Sequence, residues 1–151
     1  MSVKERLQED MKQAMKDKEA GKFRLSVIRM VRSSIKNAEI DRRKELTDEE
    51  VLEILARELK LRRDAAEEFK KGNRPDLVDS LEREIGILME YMPAQLSAEE
   101  IRSLVIAAID EVQAASPKDM GKVMNKLMPA VKGRADGKLV NAIVRELLPQ
   151  Q

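Results

Sequence analysis

The residues best equipped for chemistry cluster in KGRADGKLVN, residues 132–141. Lys132, Arg134 and Lys138 are cations, Asp136 is an acid, and Gly133 and Gly137 loosen the backbone between them. Three kinds of chemistry could use this mixture. A phosphate-gripping loop of the Walker type needs four residues between its glycines, a following Lys, and a Ser or Thr for Mg²⁺. Here three residues separate the glycines and Leu139 stands at the hydroxyl position. A helical pattern precedes the run where a strand is required, so that chemistry is excluded. Acid–base catalysis by Asp136 lacks a His, Cys or suitable Ser nearby in sequence. The third reading is a connection between two helices. Gly133 supplies positive φ at the end of one helix, Ala135 follows, and Asp136 caps the next. Lys132, Arg134 and Lys138 then project near a helix N-terminus, which itself carries partial positive charge. Such a tip attracts a phosphate backbone; its plain alternative is a turn with solvating cations.

Other chemistry-bearing patterns are weaker. Ser33 and Lys36 form an S-x-x-K, but the S-D-N and K-T-G partners of the serine acylases are absent. Asp48, Glu49 and Glu50 could attract Mg²⁺, yet helix-start electrostatics explain them better. Met120, Met124 and Met128 read as pliable core packing, not a soft-metal site. The sequence thus offers no catalytic residue, no metal ligand set and no cofactor site.

Composition narrows the classes further. The 151 residues hold no cysteine and no histidine, which removes thiolate chemistry, disulfides, and the commonest general base and metal ligand. Apolar residues make up 42%, charged residues 38% and aromatics 2%, a helix-forming blend with enough apolar side chains for a core. The start, MSVKERLQED, has no export-type apolar run, and no window is long and apolar enough to span a bilayer. A cytoplasmic, membrane-free protein is expected. The net charge is +1. Between Ser116 and Leu148, however, seven cations face three acids, so this segment carries +4 and the remainder −3.

The elements that must position these residues are helices. Ser2 with Glu5, Thr47 with Glu50, and Ser97 with Glu100 form capping-box patterns. Apolar steps of three and four predict helices over about 3–18, 22–44, 47–71 and 75–92. Gly72 is expected as a left-handed stop, and Gly86 as a point of close helix approach. Arg62 interrupts an apolar stripe and is expected to snorkel its stem along apolar surface; the alternative is a partly buried Arg held by an acid on a facing helix, with Glu84 one candidate. Arg29, Arg32, Lys36 and Arg43 share one side of the second helix, either as a solvated face or as a secondary phosphate-facing surface. Pro93 marks a boundary. After it, three helices are predicted over 97–113, 117–130 and 137–148, the last burying Leu139, Val140, Ile143, Val144 and Leu147. Lys118, Lys122 and Lys126 recur at four-residue steps opposite the apolar side of the middle one. The expectation is an all-α chain: a bundle of about four helices over 1–92 and a three-helix domain over 97–151.

The run MGKVMNKLMPAVKGRADGKLVNAIVRELL resembles the tail of the GatB subunit of tRNA-dependent amidotransferases, and more closely the free-standing YqeY proteins. Gly121, Val123, Met124, Gly133, Ala135, Val140 and Asn141 carry the likeness. LSVIRMVRSSIKNAEIDRRKELTDEE and EYMPAQLS extend the YqeY resemblance over essentially the whole chain. The GatB turn often continues Asn-Pro after its Ala; here Asp136-Gly137 keeps a cap and adds a negative charge.

The resemblance implies an all-helical fold whose C-terminal part contacts tRNA while chemistry occurs elsewhere. It also carries the label of a carbon–nitrogen ligase with glutamine as amido donor. That label belongs to the larger complex, since this chain has neither the catalytic cradle of GatB nor an amidase subunit. The expectation is a non-catalytic module that binds tRNA or another structured RNA through Lys122, Lys126, Lys132, Arg134 and Lys138. Gly133, Ala135, Asp136 and Asn141 would shape the turn. The alternative is a protein–protein adaptor for a translation or amidotransferase component.

Overall fold

The computed structural model describes residues 1–150. Among them are seven α-helices and no strand: α1 (Val3–Lys16), α2 (Lys22–Arg42), α3 (Asp48–Lys71), α4 (Pro75–Met89), α5 (Ala98–Val112), α6 (Met120–Val131) and α7 (Gly137–Leu147). Short 3₁₀ turns over Lys18–Gly21 and Pro117–Asp119 precede α2 and α6. The chain folds as two compact units, Met1–Met92 and a second that begins at Pro93. No helix among the described residues is long and apolar enough to cross a membrane.

The first unit is a four-helix arrangement whose starts are written locally. The Ser2 hydroxyl accepts the Glu5 amide at 3.1 Å while the Glu5 carboxylate accepts the Ser2 amide at 3.2 Å. Thr47 and Glu50 repeat the device for α3. Leu46 and Val51, just outside and just inside that start, both lie in the buried cluster, the positions of a hydrophobic staple. The core joins Leu7 of α1, Val27, Ile28 and Val31 of α2, Leu55 and Leu59 of α3, and Leu88 of α4. Tyr91 ends this unit inside the core, and its hydroxyl donates to the Asp10 carboxylate. Burial, reinforced by that acid, holds the tyrosine well above its ordinary pKa.

Arg62 does not snorkel to the surface: it is buried, with carboxylates against its guanidinium. Its Nη1 donates to Glu58 Oε2 at 2.7 Å and to the Glu58 carbonyl at 3.1 Å, and its Nε lies 3.4 Å from Glu84 Oε1. Two other expectations fail here. Gly72 is not left-handed, with φ −81°; Asn73 takes that role at φ 55°. Asn tolerates this region because its short polar side chain can bond locally. Gly86 has no neighbouring helix against it: a Cβ there would meet nothing within 4 Å. The close approach falls instead at Gly21, where a Cβ would lie 2.2 Å from the Ala14 carbonyl oxygen.

The second unit packs α5, α6 and α7 around Ile101, Val105, Val123, Leu127, Val140 and Val144. Ser97 caps α5, its hydroxyl accepting the Glu100 amide at 3.1 Å. Leu139 is 42% exposed, contrary to expectation, and Leu148 is buried in its place. The inward stripe runs through Val140, Ile143 and Val144 to Leu148, so Leu139 lies at its edge. Met128 is also exposed, whereas Met120 and Met124 pack against the core.

Candidate nucleic-acid interface

The expected site residues all lie on α6, the turn after it, and the start of α7. Asp119 prepares α6: its Oδ2 accepts the amides of Ala115 at 2.8 Å and Ser116 at 3.3 Å. Those backbone hydrogen bonds, the Ala115 one foremost, hold its carboxyl below the ordinary value. Pro129 sits inside the last turn of α6, not beyond it. Its missing N–H gives up one bond to the Asn125 carbonyl, which is tolerable because Asn125 is exposed to water.

The turn itself is well defined. Lys132 has φ −59° and ψ 123°, Gly133 has φ 74°, and the Arg134 amide donates to the Val131 carbonyl at 2.9 Å. These are the angles and the closing bond of a type II turn, whose third position demands positive φ and therefore favours glycine. Ala135 packs against the core, and Asp136 caps α7 by accepting the Lys138 amide at 3.0 Å. Asn141 lies within α7, half-buried, not in the turn.

A strap from the segment before α5 fixes this turn. The Leu96 amide donates to the Arg134 carbonyl at 2.8 Å, and the Gln95 side-chain amide donates to the Gly133 carbonyl at 3.1 Å. Arg134 Nε returns a bond to the Ala94 carbonyl at 3.2 Å. Arg134 is thus half-buried and partly committed to holding the unit together. The one signal for this strap was Leu96 itself, an apolar residue immediately before a helix cap.

The four lysines differ from Arg134 in being exposed. Lys126 Nζ lies 3.1 Å from Glu111 Oε2, with the side chains 52% and 60% exposed. Lys122 Nζ is 3.9 Å from Asp119 Oδ1, its own side chain 72% exposed. Pairs this open to water contribute about 0–1 kcal/mol, so a polyanion can exchange for the carboxylate. Lys132 and Lys138 flank the turn on its two sides. The structure therefore carries Lys122, Lys126, Lys132 and Lys138 on one helix–turn–helix element and ties Arg134 of its turn to the Ala94 carbonyl.

Among the described residues no group of three His, Cys, Asp or Glu side chains could hold a metal ion. Glu50 is bonded to Thr47, Arg42 and Lys44, and Asp48 accepts the Val3 amide at 3.1 Å. Ser33 and Lys36 stand on the exposed side of α2.

A mitochondrial protein of Pyrenophora tritici-repentis named altered inheritance of mitochondria protein 41 is 30% identical over 147 residues, 95% of this chain and 79% of that protein. Its Kluyveromyces lactis namesake is 35% identical over 131 residues, 82% of this chain and 70% of that one. A glutamyl-tRNA(Gln) amidotransferase subunit of Saccharolobus solfataricus is 34% identical over 59 residues, 39% of this chain but 9% of that protein. The Yqey-like protein family matches residues 4–148, nearly the full length, and the chain belongs to that family.

Proposed function

We propose that this chain is a non-catalytic binding module whose C-terminal helical unit grips the phosphate backbone of structured RNA, tRNA foremost. The observation that carries the reading is the set of four exposed lysines on one helix–turn–helix element, with Lys122 and Lys126 in ion pairs whose lysine side is open to solvent. Positive side chains on a fixed frame release counterions from a polyanion without reading its sequence. No aromatic residue lies between Lys118 and Leu148, so base stacking contributes nothing there. Likeness to a subunit named for a tRNA amidotransferase supports tRNA as the class of RNA. A cytoplasmic location is part of this proposal; the fungal relatives carry mitochondrial names.

The test is a titration of labelled tRNA against the wild type and a variant with Lys122, Lys126, Lys132 and Lys138 all changed to Gln. Arg134 is left intact because it ties the strap. The variant is expected to melt with the wild type and to lose most of its tRNA affinity. Equal affinity in the two proteins rejects the lysine element as the contact.

A second reading, a protein–protein adaptor, draws on Ile106, Met128 and Leu139, which are 57%, 43% and 42% exposed on the same unit. Partner capture that survives nuclease and high salt, and is lost on changing Met128 and Leu139 to Ser, would favour it over RNA.

A further inference from the structure

The first unit carries a second cationic feature. Antiparallel α1 and α2 enclose a groove of about 830 Å³ on one side of the bundle. Their direction follows from the contacts: Lys4 near the start of α1 meets Glu39 near the end of α2, and Met11 meets Arg32. Arg29, Arg32 and Lys36 line one wall, at steps of three and four that share a helix face. At 1.5 Å per residue they span about 10 Å along α2.

These cations make no close ion pair within the unit, although Glu39 attracts Lys36 through space. Among the described residues no carboxylate lies within ion-pair distance of Arg29, Arg32 or Lys36. The half-buried Arg32 gives its Nη1–H to the Met11 thioether, a weak acceptor, at 2.9 Å. The groove's acid, Glu39, is already occupied: its Oε2 accepts Lys4 Nζ at 2.7 Å and the Leu46 amide at 2.9 Å. Those two bonds, with Lys4 first, keep its carboxyl below the ordinary value and therefore ionised with its partners in place. Ser33 and Asn37 add neutral hydrogen-bonding groups to the same wall.

We infer that this groove is a second anion site, built for the phosphodiester backbone of a structured RNA. The inference rests on the RNA-binding reading above and extends it to a unit that reading does not use. Three features favour a backbone over a small phosphorylated molecule. Arg29, Ser33, Lys36 and Asn37 are exposed, so an occupant stays open to solvent, whereas small ligands are mostly enclosed. The cations form a row along a helix, not a ring around one point. No aromatic side chain lines the groove, so a base finds no stacking platform. Phosphates in a row are what remain to be recognised.

The experiment uses the full chain and a mixed-sequence RNA duplex as the probe. In a variant carrying Arg29→Gln and Lys36→Gln, both exposed positions, the fold should melt as in the wild type. The slope of log affinity against log salt should become shallower by about two, since each neutralised phosphate accounts for somewhat less than one. The amide signals of Ser33, Lys36 and Asn37 should shift when duplex is added to the labelled protein. An unchanged slope, or duplex-induced shifts confined to α6 and α7, overturns the groove while leaving the C-terminal reading standing. Shifts in the groove alone overturn the C-terminal reading and keep this one; no shift in either unit overturns both. Inorganic tripolyphosphate saturating the groove while the duplex leaves it untouched assigns it to a small molecule and overturns the inference. If the double variant melts early, Glu39→Gln replaces it. That change removes the acid and should raise duplex affinity; unaltered affinity there also overturns the proposal.

Discussion

Arg134 and Lys132 stand two residues apart and play different parts. Both are cations in the turn, but Arg134 spends its Nε on the Ala94 carbonyl while Lys132 is exposed. Arg134→Ala should therefore lower the melting temperature, at a cost of about 1–2 kcal/mol for a lost charge-assisted hydrogen bond. Lys132→Ala should leave stability within about 0.5 kcal/mol, as surface changes usually do, and lower tRNA affinity instead. Thermal melts and tRNA titrations on the two single variants check the separation. Glu50 shows a second residue-scale effect. Its carboxylate accepts bonds from Lys44, from the Thr47 amide and from Arg42. The Lys44 bond first, then the Thr47 amide, lowers its pKa from 4.5 to about 2. A folded pKa below the unfolded one means stability present above the unfolded value and lost as pH falls toward the folded one. Glu50→Gln should thus melt earlier than the wild type near neutrality. The gap should shrink between pH 4.5 and about 2, and melts across that range measure it.

At the scale of elements, the glycine at the α1–α2 break and the glycine inside α4 behave oppositely. Gly21 meets the backbone of α1 so closely that an added Cβ would lie 2.2 Å from the Ala14 oxygen. Gly21→Ala should force the α1–α2 hairpin apart and destabilise the first unit by about 1–3 kcal/mol. Gly86 is exposed in α4 with open space beside it. Gly86→Ala should stabilise by about 0.5–1 kcal/mol, because Ala restricts the unfolded chain and favours helix. Urea titrations of both variants give the signs directly.

The same contrast explains what could be read from the sequence. Capping boxes at Ser2, Thr47 and the Ser97 start were legible because cap and partner lie within one turn of each other. The helix count and the positive φ of Gly133 were legible for the same reason. The stop at Asn73, the exposure of Leu139 and Met128, and the strap from Ala94 to Leu96 were not. Each depends on where another element passes, and a single helical period does not record that. Among the candidate residues, the exposure of Lys122 and Lys126 was legible in their four-residue spacing opposite the apolar side of α6, but the structural duty of Arg134 was hidden in a contact forty residues away.

For the molecule as a whole, charge is distributed by unit. A net +1 conceals +4 between Ser116 and Leu148, and within the otherwise more acidic remainder the α1–α2 groove gathers Arg29, Arg32 and Lys36. On the proposed reading each of these faces contacts a phosphate backbone, with little preference for its sequence. The most direct measurement is the salt dependence of tRNA affinity for the full chain and for the variant lacking Lys122, Lys126, Lys132 and Lys138. The wild type should give a steep linear fall of log affinity with log salt, and the variant a slope shallower by about three to four, one somewhat-less-than-unit step per lost phosphate contact. Two parallel lines, or a wild type whose tRNA affinity ignores salt, would contradict RNA holding by the C-terminal lysines.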